Sequence, residues 1–230
     1  MESQFMPMAK VVPLGKGERT ASRIREAALE QFSRLGFERV TMAGIAEAAG
    51  VSQATLHYHF EDKDQLWRAA MLDLSAVIAE EERLLSAAKD ASPLAQFQMA
   101  MRFFIELSWR HPALGRIVAL EGMAGGDRLA WLDEHLTGPR NRRLARLVKA
   151  AIDAGALKPF PPEQIVVTLQ AAAVGVINLA PLMRANFRID PDTPEGRSAH
   201  EHLILDALMG GLLVDDAVQA QQGGPKGGTP

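Results

Sequence analysis

Apolar residues recur with a helical period along most of the chain. Ile24, Ala28, Phe32 and Leu35 form one stripe, which predicts a helix from about residue 18 or 20 to 35. Gly36 ends it as a natural residue beyond the last turn. Met42, Ile45, Ala46 and Ala49 recur at i, i+3, i+4 and i+7, one face of a second helix. Thr41 stands just before that face and can cap it. Gly50 follows the last periodic residue, where the chain must turn. Val51 can plug the corner and Ser52 is the next cap. A short third helix runs to Phe60, with Leu56 and Phe60 facing inward. That leaves Gln53, Ala54, His57 and Tyr58 outward, with Thr55 and His59 on the flanks.

The pattern beyond residue 60 is helical too. Leu66, Ala70, Leu74, Val77 and Ile78 line a long helix over about 63–89. Ser92-Pro93 is a cap followed by proline, the start of a helix reaching Trp109. His111-Pro112 breaks it, and a helix from Pro112 to about Met123 ends at Gly125-Gly126. A short helix over 127–136 carries Trp131, and Thr137-Gly138-Pro139 reads as a turn. Residues 139–154 form a basic amphipathic helix, whose arginines are read as a solvated face. Residues 163–187 are the most apolar stretch, and Ile165 to Met183 within it is near the length of a membrane span. Thr168, Gln170, Asn178 and Pro181 interrupt it, which favours one helix buried on nearly all sides. Thr193-Pro194 opens a last helix to about residue 218.

No strand pattern or internal repeat is present. The predicted fold is all-α with about nine helices. It divides into a flexible arm over 1–18, a three-helix head over 19–63, a helical body over 64–218 and a polar, Gly-rich tail over 219–230.

Composition narrows the chemistry. A chain of 230 residues can bury a sizeable core. Hydrophobic residues make up 47% and charged residues 23%, ordinary for a globular protein. No cysteine is present, which removes disulfides, thiolate metal sites and cysteine nucleophiles. Residues 1–18 hold no continuous apolar run of a secretory signal, so a cytoplasmic protein is expected. Net charge is −3. Between Lys10 and Arg68 nine Lys/Arg face eight Asp/Glu, a balance of +1, so the remainder carries −4. What counts at a nucleic acid is the local field. Lys10, Lys16 and Arg19 could reach a minor groove; the competing reading is an inert tail.

The outward face of the third helix is the informative one. A short helix gains no stability by showing water a Tyr, two His, a Gln and a Thr. Such side chains suit a nucleic-acid groove. Gln53 can read adenine, Ala54 can touch a thymine methyl, and His57 can reach a base edge. Thr41, Ser52, Thr55, Tyr58, His59 and Lys63 suit phosphate contacts, and Ala43 joins the same DNA-facing set. Helix, Gly-containing turn and outward polar helix together describe a helix-turn-helix. The competing reading is a plain helical hairpin with a polar face.

The stretch from Arg23 to Met71 resembles the N-terminal DNA-binding domain of the TetR family of transcriptional repressors. The match runs through Phe32, Gly36-Phe37, Val40-Thr41, Ile45-Ala46, Ala49-Gly50-Val51-Ser52, Thr55-Leu56, Tyr58-His59-Phe60 and Lys63 in one register. The resemblance implies an all-helical homodimer that binds a near-palindromic operator in double-stranded DNA and leaves it on binding a small ligand. It also implies that the last two helices pair with their copies, and Leu203, Ile204, Ala207, Leu208 and Gly211 are the candidates there. The family often carries Tyr where this chain has His57, which bears on operator preference.

Other chemistry finds little support. His57 and His59, like His200 and His202, are two residues apart and point to different sides of a helix. No phosphate-binding Gly loop and no GxSxG occurs. The run Glu80-Glu81-Glu82 does not converge. No enzyme activity, cofactor, metal or membrane partner is therefore expected. For an effector, Met101, Phe104, Trp109, Met123, Trp131 and Met183 can line an apolar cavity, with Asn178 as the polar contact. The effector expected from them is a modest apolar molecule. Two alternatives are weighed against a ligand-responsive repressor. A DNA-binding protein without a ligand would call for a more basic chain. An enzyme with an incidental helix-turn-helix would need a convergent catalytic set.

Overall fold

The computed structural model describes residues 15–84 and 90–214. The expected arm before residue 15 and the tail over 219–230 lie outside these residues, as does the predicted end of the long helix at 85–89. Among the described residues all regular structure is helical, apart from one isolated bridge between Leu157 and Leu213. The chain separates into two compact units, up to Asp73 and from Leu74 onward.

The first unit holds α1 (Lys16–Leu35), α2 (Met42–Ala48), α3 (Gln53–His59) and the start of α4 (Lys63–Leu84). The stripe of α1 is inside as its spacing requires, with Ile24, Ala28 and Phe32 buried. Leu35, expected on that stripe, is exposed in the last turn. Phe32 stacks on Phe37, ring centroids 5.6 Å apart. Ile45 and Leu56 close the core from α2 and α3, and Leu66 and Trp67 from α4. Gly36 and Gly50 both take positive φ, at 75° and 63°. A side chain there would be strained, so glycine serves both exits.

The second unit holds α5 (Pro93–Arg110), α6 (Pro112–Ala124), α7 (Asp127–Leu132), α8 (Gly138–Asp153), α9 (Pro162–Asn178), α10 (Ala180–Phe187) and α11 (Pro194–His202). α5, α8 and α9 pack on one another around Phe97, Met101, Val148, Leu169 and Ala173. Each of several starts has the predicted chemistry. Ser92 accepts from the Ala95 N–H at 3.2 Å, and Thr193 accepts from the Gly196 N–H at 3.0 Å.

Three elements differ from the sequence pattern. The single helix expected over 163–187 is two, α9 and α10, bent by 62° at Leu179. Pro181 has no N–H for the Ile177 carbonyl, and its ring crowds that carbonyl, so the helix cannot pass straight through. No single described helix is long and apolar enough to cross a membrane; only this bent pair passes, taken together. The turn expected at Thr137-Gly138-Pro139 is instead a wide helical turn over Asp133–Thr137 that runs into α8. The Gly138 N–H reaches the Asp133 carbonyl, five residues back. A Cβ on Gly138 would lie 2.4 Å from that oxygen, so only glycine fits. The last helix, expected to about residue 218, is irregular within the described residues, and 215–218 lie outside them. It widens over Leu203–Met209, tightens over Gly210–Leu212 and leaves helical geometry at Leu213. Splitting α9 from α10 turns the ten stretches laid out from sequence, put there at about nine helices, into eleven α-helical segments among the described residues.

Candidate nucleic-acid interface and ligand cleft

Two capped helices build the candidate DNA-facing surface. The Gly44 N–H donates to Thr41 Oγ1 at 3.1 Å, and the Thr55 N–H donates to Ser52 Oγ at 3.0 Å. Each hydroxyl so fills a free donor of a first turn. Ser52 and Thr55 hydroxyls also bond each other at 2.8 Å. Gln53, Ala54, His57 and Tyr58 are exposed, Tyr58 at 85%, while Thr55 and His59 are half-buried. Ala43 is exposed on α2. The side chains that can bond bases or phosphates therefore share one face of α3, and Leu56 anchors the opposite face.

Two cations hold this surface from behind, and sequence spacing did not single out either role. Arg23 on α1 donates to the Ala49 carbonyl at the end of α2. A cation at that end also meets the negative pole of the helix. Lys63, expected on a phosphate, also has partners within its own unit. Its ammonium donates to the Phe37 and Val40 carbonyls, both at 3.0 Å, and lies 4.3 Å from the Phe37 ring centroid. Two of its three donors are thus used in the loop between α1 and α2.

The expected ligand residues do not form one set. Met101 is fully buried in the core, packed with its neighbours. Met123 is 80% exposed at the end of α6, so it lines no enclosed cavity. Trp131 stacks on His135 at 4.4 Å. Phe104 is half-buried against the core, and Met183 is half-buried on α10. Asn178 has its amide oxygen buried without a hydrogen-bond partner. Trp109 lines a cleft of about 510 Å³ between α5 and α11. That cleft is charged as well as apolar, with Arg102, Glu106, Arg110, Arg197 and Glu201 around Ile105 and Trp109. Of these only Trp109 was singled out from sequence, because the others come together through two helices about 90 residues apart.

The expected interface residues also divide. Leu203, Ala207, Leu208 and Gly211 are exposed. Ile204 is 1% exposed and belongs to the protomer's own core beside Met209. It follows buried His200 at i+4, the spacing of one helix face.

Comparison with known proteins agrees with this geometry. Residues 24–70 match the family described as bacterial regulatory proteins, tetR family, and residues 93–208 match the tetracyclin repressor-like C-terminal domain. The chain is 29% identical over 187 residues to the HTH-type transcriptional regulator RutR of Escherichia coli K12, covering 78% of this chain and 86% of that one. It is 26% identical over 181 residues to the nucleoid occlusion factor SlmA of Vibrio campbellii, covering 73% and 87%. The solved ketosteroid transcriptional regulator KstR2 of Mycobacterium tuberculosis superposes with a TM-score of 0.67 at 17% identity, covering 85% of this chain and 95% of that one. With both of its domains matched in order, this chain belongs to the TetR family of DNA-binding transcriptional regulators.

Proposed function

We propose that the protein is a repressor that binds a near-palindromic operator as a homodimer and releases it when a small molecule occupies the C-terminal unit. The exposed polar face of α3, fixed by the Ser52 cap and anchored by Leu56, carries this reading. Gln53, Ala54 and His57 read bases. Thr41, Ser52, Thr55, Tyr58 and His59 hold phosphates, with Ala43 against the backbone. Lys63 shapes the loop behind them. Leu203, Ala207, Leu208 and Gly211 meet their copies in the partner, and their exposure in one chain supports that role.

Release requires that the ligand bind the DNA-free form more tightly. A tenfold preference corresponds to about 1.4 kcal/mol of coupling. The operator must then weaken ligand binding by the same factor.

Selection from randomised duplexes tests the DNA half. Enriched sites should be near-palindromic, with half-sites about 34 Å, one helical turn, apart or a multiple of it. Enrichment of single half-sites, or none, would overturn the dimeric reading.

A further inference from the structure

Trp109 and His200 meet edge to face, ring centroids 5.9 Å apart, beside the cleft between α5 and α11. His200 is only 4% exposed. Its Nε2 donates to the Ala173 carbonyl at 2.8 Å, so in the neutral ring Nδ1 is an acceptor. The indole Nε1 of Trp109 is a donor only. Both Trp109 Nε1 and His200 Nδ1 are buried without a hydrogen-bond partner. One unfilled donor and one unfilled acceptor therefore stand on neighbouring rings, which is costly unless something completes them. A single hydroxyl placed between them would do so, its oxygen accepting from the indole and its proton going to the imidazole.

The second observation is Arg197. Its guanidinium carbon lies 5.1 Å from the Trp109 ring centroid. The other arginines of the cleft are matched. Arg102 meets Glu201 at 2.7 Å, and Arg110 meets Glu81 at 2.9 Å. Arg197 has no carboxylate partner among the described residues, and its planar fork suits one. A volume of about 510 Å³ is in the range of small-molecule sites.

We propose that this cleft binds a small hydroxylated carboxylic acid, with its carboxylate on Arg197 and its hydroxyl between Trp109 and His200. This rests on the ligand-released repressor reading above and departs from the apolar effector that composition alone favours.

Calorimetry on the full chain with para-hydroxybenzoate as probe tests it. Benzoate lacks the hydroxyl and methyl para-hydroxybenzoate lacks the charge. Each should bind at least about tenfold more weakly, because a site built around a polar group rejects the analogue without it. Arg197→Met should lower affinity for the probe to the level of the ester and leave the ester unchanged. Trp109→Phe should lower it to the level of benzoate and leave benzoate unchanged. Arg197 is exposed, so its variant remains informative should Trp109→Phe misfold. Absence of heat at millimolar probe, equal binding of all three compounds, or indifference to Arg197→Met would overturn the proposal. An operator titration separates the two levels. Binding through Arg197 that releases operator supports both. Binding through Arg197 without release supports the site and removes only the effector reading.

Discussion

Lys63 donates to the Val40 carbonyl at 3.0 Å across 23 positions of sequence, tying the first turn of α4 to the residue before the α2 cap. The same ammonium holds Phe37 O, so it fixes both ends of a four-residue loop. Hydrogen bonds to a charged group contribute about 1.5–3 kcal/mol. Lys63→Met should therefore lower the unfolding free energy of the DNA-binding unit, read from urea melts, by an amount in that range. The slope of log affinity against log salt should stay as in wild type. A slope reduced by about one would instead return Lys63 to the phosphate backbone.

Gln53 is free of such duties. It is exposed at the first position of α3, and no structural hydrogen bond of its side chain occupies it among those described. Gln53→Ala should leave folding unchanged and relax sequence preference at one position in each half-site, by about 1–3 kcal/mol. Selection from a randomised duplex library reads this directly. An unchanged consensus would remove Gln53 from base reading.

The contrast between these two residues shows what the sequence makes legible. Caps, periodic stripes and helix ends are local, and Thr41, Ser52, Gly36 and Gly50 stand where their spacing places them. The outward face of α3 follows from period alone. Lys63 could not be assigned that way, because its acceptors are backbone atoms more than 20 residues away. The same limit hid the Arg23 contact and the charged cleft at Trp109. Pro181 was visible as an interruption of the apolar run, yet its effect depended on whether packing would tolerate a kink. Gly138 looked like a turn residue because Gly-Pro commonly is one. Its role came from the Asp133 carbonyl against which its missing side chain packs.

The proposed dimer face separates from the core by exposure. Leu208 is 42% exposed, whereas Ile204 is 1% exposed. Leu208→Glu should keep a folded protomer with wild-type helicity while giving monomers that lose operator affinity. Ile204→Glu should unfold the unit, since a buried unpaired carboxylate is far costlier than an exposed one. Sedimentation velocity paired with circular dichroism distinguishes the two. A Leu208→Glu variant that remains dimeric at micromolar concentration would exclude this face.

Arg184 staples the end of α10 to the loop before α11. It donates to Asp190 at 3.0 Å and also pairs with Asp192. The Asp190 carboxyl is lowered from its ordinary 3.8, first by the Arg184 hydrogen bond and then by the Asp192 N–H. A lowered carboxylate contributes stability in full above its unfolded value and loses it as pH falls through the folded value. The loop should thus loosen only in acid below the ordinary Asp range. In an NMR titration, Arg184→Gln should raise the Asp190 midpoint toward 3.8. An unmoved midpoint would assign the shift to the backbone alone.

Asn178 sits in the last turn of α9, next to the bend at Leu179, with its amide oxygen buried and unpartnered. An unpaired buried acceptor costs about 1–3 kcal/mol, so the free protein is held below its attainable stability here. Asn178→Leu removes that group while keeping the same branching and number of heavy atoms. It should raise the melting temperature of the ligand-free protein and change operator affinity by less than about threefold, under roughly 1 kcal/mol. If an effector supplies the missing donor, the order reverses at saturation, because ligand then stabilises wild type more than the variant. Thermal melts of both proteins with and without a ligand found by screening decide the matter. A variant that is more stable in both conditions by the same margin would make Asn178 a misfit of packing with no part in ligand binding. A variant less stable than wild type without ligand would mean that the amide is satisfied in solution.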